Sequence, residues 1–482
     1  MKIKKQKIKK LFGNIFNILN SHENTLSVSL VGSFSNHFDF NKSGDIDIVV
    51  ICNELKKNYF DHIKSEIRKF KSQLLFFSNK NHLKFNTTFG PIKFDNTKTL
   101  IIHLMVYDYI GHKKHVIESP FTCFDWEKSK FYKGKRLSNI YPVLKLQMSD
   151  FLNSRRGTNN ILNDLKNKRI SYGIYLFRRK KIILRKDYFS LDDYNINIFI
   201  YNIYKNMINN LIKFQIDSNS NFSALKLKKK LIEITDEKNE FKELDLSSKK
   251  RFTESLKKIA IDKIVLTSIF LKYYKKYVKK YSSLKKIHFI RHKKTEYSSG
   301  IFLGTKLNPS IIKIKKPNNT NKVKYDICYS SPMIRTIETA SLLVKKNIIK
   351  INKNLNEIDY GKYEGLNFNE VKLIDKKFSI NLTKNKDPKF PNGENTRDVL
   401  KRIKNFFNFL TTPRNKYKLI LVVTHNVVMR CILGVNLGIK MKDWYKLKIP
   451  YYTKFEIIVY EQKILLNISR TKLNNIIKNI YG

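Results

Sequence analysis

Two short apolar runs that each stop at a histidine constrain this chain's fold more than any other feature. The first, Ile287-His288-Phe289-Ile290, alternates and then gives way to Arg291-His292-Lys293-Lys294-Thr295-Glu296. The second, Leu419-Ile420-Leu421-Val422-Val423, is almost continuously apolar and ends in Thr424-His425. Runs of this length and composition read as buried strands. Open α/β sheets place ligand chemistry just beyond such strand ends. An arginine and a glutamate lie between the two histidines in sequence. Arg335 follows the strand end and turn Tyr329-Ser330-Ser331-Pro332, where a helix is predicted to open. Glu357 stands in Leu355-Asn356-Glu357-Ile358-Asp359-Tyr360-Gly361-Lys362-Tyr363-Glu364-Gly365.

The ordered set Arg-His, Ser-Pro-x-x-Arg-x-x-x-Thr-Ala, Glu-x-x-x-Gly-x-x-Glu-Gly and Thr-His resembles the histidine phosphatase superfamily, also called phosphoglycerate mutase-like. The resemblance covers roughly residues 285 to 470, with element boundaries uncertain by a few residues. It implies a C-terminal three-layer α/β/α domain. The chemistry agrees with it. A neutral imidazole attacks phosphorus and splits one hard displacement into two easier ones. The phosphoryl group spreads negative charge over its oxygens, so guanidinium forks and a second imidazole should surround it. His292 is the candidate nucleophile, and Arg291, Arg335 and His425 fit the clamp. The leaving alkoxide needs a proton, which a carboxyl with a raised pKa can donate. The resemblance assigns that role to Glu357, with Glu364 as the second candidate, and Thr295 is a candidate for substrate binding. No cofactor is expected at this site. The sequence departs from the family pattern at Lys293 and Asn426, where Gly is usual, and at Ser298, where Asn is usual.

A second constellation lies near the N-terminus. Ser27-Val28-Ser29-Leu30-Val31 reads as a strand ending in Gly32-Ser33, and eleven residues later comes Asp45-Ile46-Asp47-Ile48-Val49-Val50-Ile51. Residues i and i+2 of a strand share a face, so Asp45 and Asp47 project together. Paired carboxylates repel unless a cation lies between them, which makes Asp45 and Asp47 candidate Mg²⁺ ligands, with substrate phosphates completing the shell. Gly32 allows close backbone approach, and Ser33 can donate to a phosphate oxygen. Gly-Ser followed at a gap by Asp-x-Asp resembles the polymerase-β-type nucleotidyltransferases, over roughly residues 10 to 115. The resemblance implies a mixed sheet with helices, and a nucleoside triphosphate as partner. It also implies a third carboxylate on a later strand. That strand is predicted at Thr99–Asp108, whose middle holds Ile101 or His103 where an acid is expected. Asp95 and Asp108 are the nearby alternatives.

At 482 residues the chain predicts two or three domains. The boundaries read as 1–136 for the nucleotidyltransferase-like domain, 137–282 for a mostly helical region and 283–482 for the phosphatase-like domain. Apolar residues recur at helical spacing through Ile196–Phe214 and Ala260–Tyr281, with a polar break at Asp217-Ser218-Asn219-Ser220-Asn221. Nucleotidyltransferases of this type often carry such a bundle for substrate binding, and the resemblance alone assigns it that role. Arg155-Arg156-Gly157 and Arg178–Lys181 read as solvated helix ends. The overall class is thus α/β and α+β multidomain.

Lys and Arg number 95 against 40 Asp and Glu, a formal net charge of +55. The basic residues are dispersed, without an arm or an Arg-rich stripe, so a specific nucleic-acid partner is not expected. Such a field favours phosphorylated small molecules. Four cysteines (Cys52, Cys123, Cys328, Cys431) without a Cys-x-x-Cys pair argue against a zinc or disulfide framework. No apolar run reaches membrane-span length. Ile8, Leu11, Phe12, Ile15 and Leu19 predict an N-terminal helix packed on the following sheet, not a leader, and a cytoplasmic location is expected. These observations predict a two-headed enzyme that hydrolyses a phosphomonoester and transfers a nucleotidyl group. A phosphoglycerate-type mutase, or a regulatory protein with one or both sites inactive, are the alternatives.

Overall fold

The structure, a computed structural model, describes residues 2–90, 97–150, 167–178, 181–191, 285–297, 300–312, 323–412, 415–460 and 463–481, with a few isolated positions between them. The chain splits into two compact units, residues 1–146 with 150–279 and residues 147–149 with 280–482. Arg155-Arg156-Gly157, Asp217–Asn221, Ala260–Tyr281 and, apart from Asn210, Ile196–Phe214 lie outside the described residues, as do Asp95 and Ser298.

The first unit opens on the helix Lys2–Ser21. Its Ile8, Leu11, Phe12, Ile15 and Leu19 are all buried, the apolar face anticipated from their spacing. The helix covers a five-stranded sheet of order β3-β4-β2-β1-β5. Its strands are β1 (Thr25–Val31), β2 (Ile46–Cys52), β3 (His82–Asn86), β4 (Thr99–Asp108) and β5 (Tyr132–Gly134). Strands β1 and β2 are antiparallel, whereas β2 and β4 run parallel, with Asp47 opposite His103. Both β2 and β4 are apolar on both faces, as strands covered on two sides should be.

Within the region read as mostly helical, the described residues contain a long antiparallel hairpin instead. Strands β6 (Arg169–Arg178) and β7 (Lys181–Ser190) pair from Arg169↔Ser190 to Arg178↔Lys181. Along it Ile170 pairs with Phe189, Tyr175 with Leu184, Leu176 with Ile183 and Phe177 with Ile182. The β-branched and aromatic residues among these favour a pleated surface over a helix. Of the Arg178–Lys181 cluster, Arg178 ends one strand and Lys181 opens the next, so neither stands at a helix terminus.

The second unit is built on a six-stranded sheet of order β10-β9-β11-β8-β12-β13. The strands are β8 (Lys285–Arg291), β9 (Ile327–Ser330), β10 (Ile349–Ile351), β11 (Leu419–Thr424), β12 (Lys454–Tyr460) and β13 (Lys463–Asn467). The first four in spatial order, β10, β9, β11 and β8, are mutually parallel, and β12 and β13 add an antiparallel edge. Alternation sends Ile290, Cys328, Leu421 and Val423 to one face, where they pack with Ala340 of the helix Ile334–Leu343. Phe289 and Tyr329 go to the other face, against Phe407 and Phe406 of the helix Thr396–Thr411. Helices thus lie on both faces, the three-layer arrangement read from the sequence. Asn395 and Asp398 form a capping box that fixes the start of the second of these helices.

Candidate functional site

Three parallel strands deliver the C-terminal site. In the β8–β11 register Arg291 lies opposite Thr424, so His292 and His425 leave adjacent strand ends together. The His292 backbone N–H donates to Thr424 O at 3.0 Å, and the two imidazole centroids are 5.1 Å apart. Strand β9 ends beside them, and the helix that follows presents Arg335 from its first turn. Both histidines and Arg335 are buried.

The hydrogen bonds assign tautomers. His292 Nδ1 lies 2.7 Å from the carbonyl oxygen of Lys293 and must donate to it, which leaves the lone pair on Nε2. Burial, with Arg335 and Arg291 adding to it, pushes the His292 pKa down to about 3, so the ring is neutral near pH 7. Arg335 Nε donates to His425 Nδ1 at 3.3 Å, so His425 Nε2 carries the proton and donates to Ser331 Oγ at 2.9 Å. Ser331 in turn donates to Asn356 Oδ1 at 3.1 Å. Both His425 nitrogens are thereby engaged, and its contact with a phosphoryl oxygen requires exchanging Ser331 for the ligand. Burial, and the Arg335 charge after it, hold the His425 pKa well below the ordinary histidine value.

The guanidinium groups are prepared differently. Arg335 is fully buried, with Nη1 donating to Leu307 O at 3.1 Å and Nη2 to Gly304 O at 2.7 Å. Three of its five N–H donors are spent on holding it in place. Arg291 Nη1 donates to Ile449 O, and its guanidinium carbon lies 3.8 Å from the Tyr451 ring centroid. Its Nε is buried and has no partner among the described residues. An orphan cationic donor in a dry pocket is an anion-binding group.

Glu357 is buried, and its carboxylate accepts from the backbone N–H groups of Asn426 at 3.0 Å and Val427 at 3.1 Å. These are the first residues of the helix Asn426–Leu437. Burial raises its pKa, opposed by the Ile358 N–H that its Oε1 accepts at 3.1 Å, by the charges of Arg335 and Arg291, and by the Val427 N–H. Glu364 is placed otherwise. Its carboxylate accepts backbone N–H bonds from Gly304, Thr305, Lys306 and Leu307, so it clamps the loop that holds Arg335. Thr295 is buried and bridges to Ile311. Lys293 has an ordinary negative φ and supplies its carbonyl to His292, a service that needs no glycine.

Sequence reasoning missed Tyr451, which lies 5.6 Å from His292 between ring centroids, and Arg402. Arg402 grips Glu394 through two nitrogens and donates to Glu357 O at 3.1 Å. Neither stands in a motif. Ser331 stood within the Ser-Pro segment without a role of its own.

In the first unit Gly32 has φ +70°, and a Cβ there would lie 2.1 Å from Asp47 Oδ2. The close approach expected of this glycine is toward the carboxylate. Ser33 is exposed, 3.4 Å from Ser43 through the two hydroxyls. His103, not an acid, stands across from Asp47, with Nδ1 2.9 Å from Asp47 Oδ1. Asp108 Oδ1 accepts from Gly111 N at 2.6 Å and caps the helix Tyr109–Glu118. No helix among the described residues is long and apolar enough to cross a membrane.

Residues 316–466 match the Histidine phosphatase superfamily (branch 1), a match that begins after His292. The 6-phosphofructo-2-kinase/fructose-2,6-bisphosphatase of Aquarana catesbeiana is 29% identical over 130 residues, 27% of this chain and 26% of that protein. The chain thus spans about a quarter of that relative's length. The 2,3-bisphosphoglycerate-dependent phosphoglycerate mutase of Methanococcus vannielii is 28% identical over 159 residues, 26% of this chain and 68% of that protein. Among solved structures, the alpha-ribazole phosphatase from Shigella flexneri superposes with a TM-score of 0.33 at 18% identity, over 38% of this chain and 96% of that one. The C-terminal unit is therefore of mixed α/β architecture with a histidine-phosphatase-like domain.

Proposed function

We propose that the C-terminal unit hydrolyses a phosphorylated small molecule through phospho-His292. The observation that carries this reading is the Nδ1 hydrogen bond to Lys293 O, which keeps the Nε2 lone pair of a neutral ring available for attack. The phosphoryl group moves from the substrate oxygen to Nε2, and its charge is met by Arg291 and Arg335. Glu357 holds a proton above the ordinary carboxyl range and gives it to the departing alkoxide. The resulting carboxylate then takes a proton from the water that cleaves the N–P bond. The relatives' names span bisphosphatases and a mutase. Hydrolysis is favoured because Glu357 is followed by Ile358-Asp359, where mutases usually carry Arg-His. The test is a phosphomonoester screen on wild type and His292→Ala, together with capture of acid-labile phosphoprotein. Full activity in the variant removes His292 from the mechanism.

For the first unit the reading is metal-dependent nucleotidyl transfer from a nucleoside triphosphate, supported by the Gly32 backbone lying against the Asp47 carboxylate. Two carboxylates and an imidazole suit a divalent ion, which would neutralise the triphosphate. Asp45 and Asp47 would hold it, and Ser33 would meet a phosphate oxygen. Pyrophosphate release that survives Asp45→Ala/Asp47→Ala refutes this reading.

A further inference from the structure

We propose that Asp45, Asp47 and His103 form a mixed imidazole–carboxylate centre that binds one first-row transition-metal dication, Mn²⁺ being its probe, in preference to Mg²⁺. One donor atom from each of the three residues lies within 4.8 Å of the others. His103 Nδ1 and Asp47 Oδ1 are 2.9 Å apart. Two adjacent ligands of a single ion with bonds of about 2.1 Å are separated by about 3 Å, so this spacing is already that of a coordination sphere.

The imidazole is also held from behind. His103 Nε2 lies 2.9 Å from Thr88 O and donates to it. Thr88 is fixed by Asn86, whose Oδ1 accepts from the Thr88 N–H at 3.1 Å and from its hydroxyl at 2.7 Å. Metal-bound histidines characteristically donate their second ring N–H to such an acceptor, which sets the tautomer and aims the remaining lone pair at the ion. With Nε2–H so engaged, Nδ1 is the ring atom that faces the carboxylates, and an ion that displaces a proton from it would take its lone pair. The parallel register that sets His103 opposite Asp47 makes this placement a property of the sheet and not of a flexible loop.

The donor type selects the ion. Mg²⁺ demands oxygen ligands and gives up its water reluctantly, whereas imidazole favours the later first-row ions. The centre stands on its donor set and does not depend on nucleotidyl transfer.

The experiment uses the full chain, stripped of divalent ions by chelation and titrated with Mn²⁺ under electron paramagnetic resonance. One bound ion with ¹⁴N modulation in the pulsed spectrum is expected, displaced by Mg²⁺ only in large excess. His103→Gln should abolish the nitrogen coupling and weaken binding by about tenfold or more. No bound Mn²⁺, bound Mn²⁺ without nitrogen coupling, or coupling that survives His103→Gln overturns the proposal and leaves a plain histidine–aspartate pair. If His103→Gln does not fold, Asp45→Asn serves, and unchanged Mn²⁺ affinity in it overturns the proposal equally. Pyrophosphate release, assayed separately, bears only on the nucleotidyl-transfer reading.

Discussion

On the functions proposed for them, the two sites would solve the same electrostatic problem, holding phosphate, in opposite ways. In the C-terminal unit, cationic and neutral nitrogen groups are buried at the ends of three parallel strands, with Arg335 and His425 wholly removed from solvent. In the first unit, carboxylates and one imidazole lie half-buried on paired strands, a set that attracts a cation before it can attract an anion. The buried site carries its positive charge as guanidinium. The half-buried site, on the reading proposed for it, would recruit its positive charge as an ion. Burial suits the first because guanidinium stays charged when desolvated, whereas paired carboxylates in a dry pocket would take up protons.

The sharpest way to break this contrast is His292→Ala. It should lower phosphomonoesterase activity by about a thousandfold or more, since removing a covalent nucleophile removes the whole pathway. Kinetics on a simple aryl phosphate measure it, and activity within tenfold of wild type would make the dry pocket incidental.

Glu357→Gln comes next, with an expected loss of about a hundredfold on alkyl phosphates. The loss should nearly vanish on nitrophenyl phosphate, whose leaving group needs no proton. An equal loss on both substrates would assign Glu357 to positioning the helix Asn426–Leu437, whose N–H groups it holds.

Much of the C-terminal site was legible because two rules coincide there. Strand periodicity sent His292 and His425 to strand ends, and parallel pairing of Arg291 with Thr424 brought those ends together. Arg335 was legible from the turn before its helix. The partners that set proton positions were not, since Ser331, Lys293 O and Tyr451 act through geometry that no spacing encodes. In the first unit Asp45 and Asp47 were read from strand alternation. That His103 and not Ile101 stands opposite Asp47, where a third acid was sought at Asp95 or Asp108, was not legible because register is a tertiary property. The hairpin β6–β7 was passed over because it lies in a stretch whose flanking segments have helical spacing. Asp108 illustrates the opposite difficulty: an acid of the expected type, at the expected strand, that is a helix cap.

The two units can also be compared by acid. His112 and His115 in the first unit are pushed down to about 4 by burial, and His292 to about 3. The unfolded chain binds these protons with a pKa of 6.5, so the folded state loses stability as pH falls from 6.5 toward those values. Above 6.5 these groups contribute no pH dependence. Denaturant melts from pH 7 to pH 4 should therefore show a falling midpoint in both units, and a flat profile would contradict the buried neutral rings. Gly32→Ala should cost about 1–2 kcal/mol from its left-handed backbone alone, with further loss from the Cβ pressed on Asp47. Melts of the variant measure the first cost, and Mn²⁺ binding measures the second.

The smallest effect is expected at Lys293, where the family pattern has Gly. Lys293→Gly keeps the carbonyl that accepts from His292 Nδ1 and the N–H that donates to Thr339 Oγ1 at 3.0 Å. It removes an ammonium that lies 5.2 Å from the Tyr452 ring centroid, and it adds backbone freedom costing roughly 0.5–1 kcal/mol. kcat/KM should fall by about tenfold or less, with the loss mainly in KM for anionic substrates, since a surface cation steers more than it catalyses. A collapse of kcat instead would mean that the side chain, and not the carbonyl, sets the nucleophile. The buried site would then depend on a partly exposed charge, as is proposed for the N-terminal one.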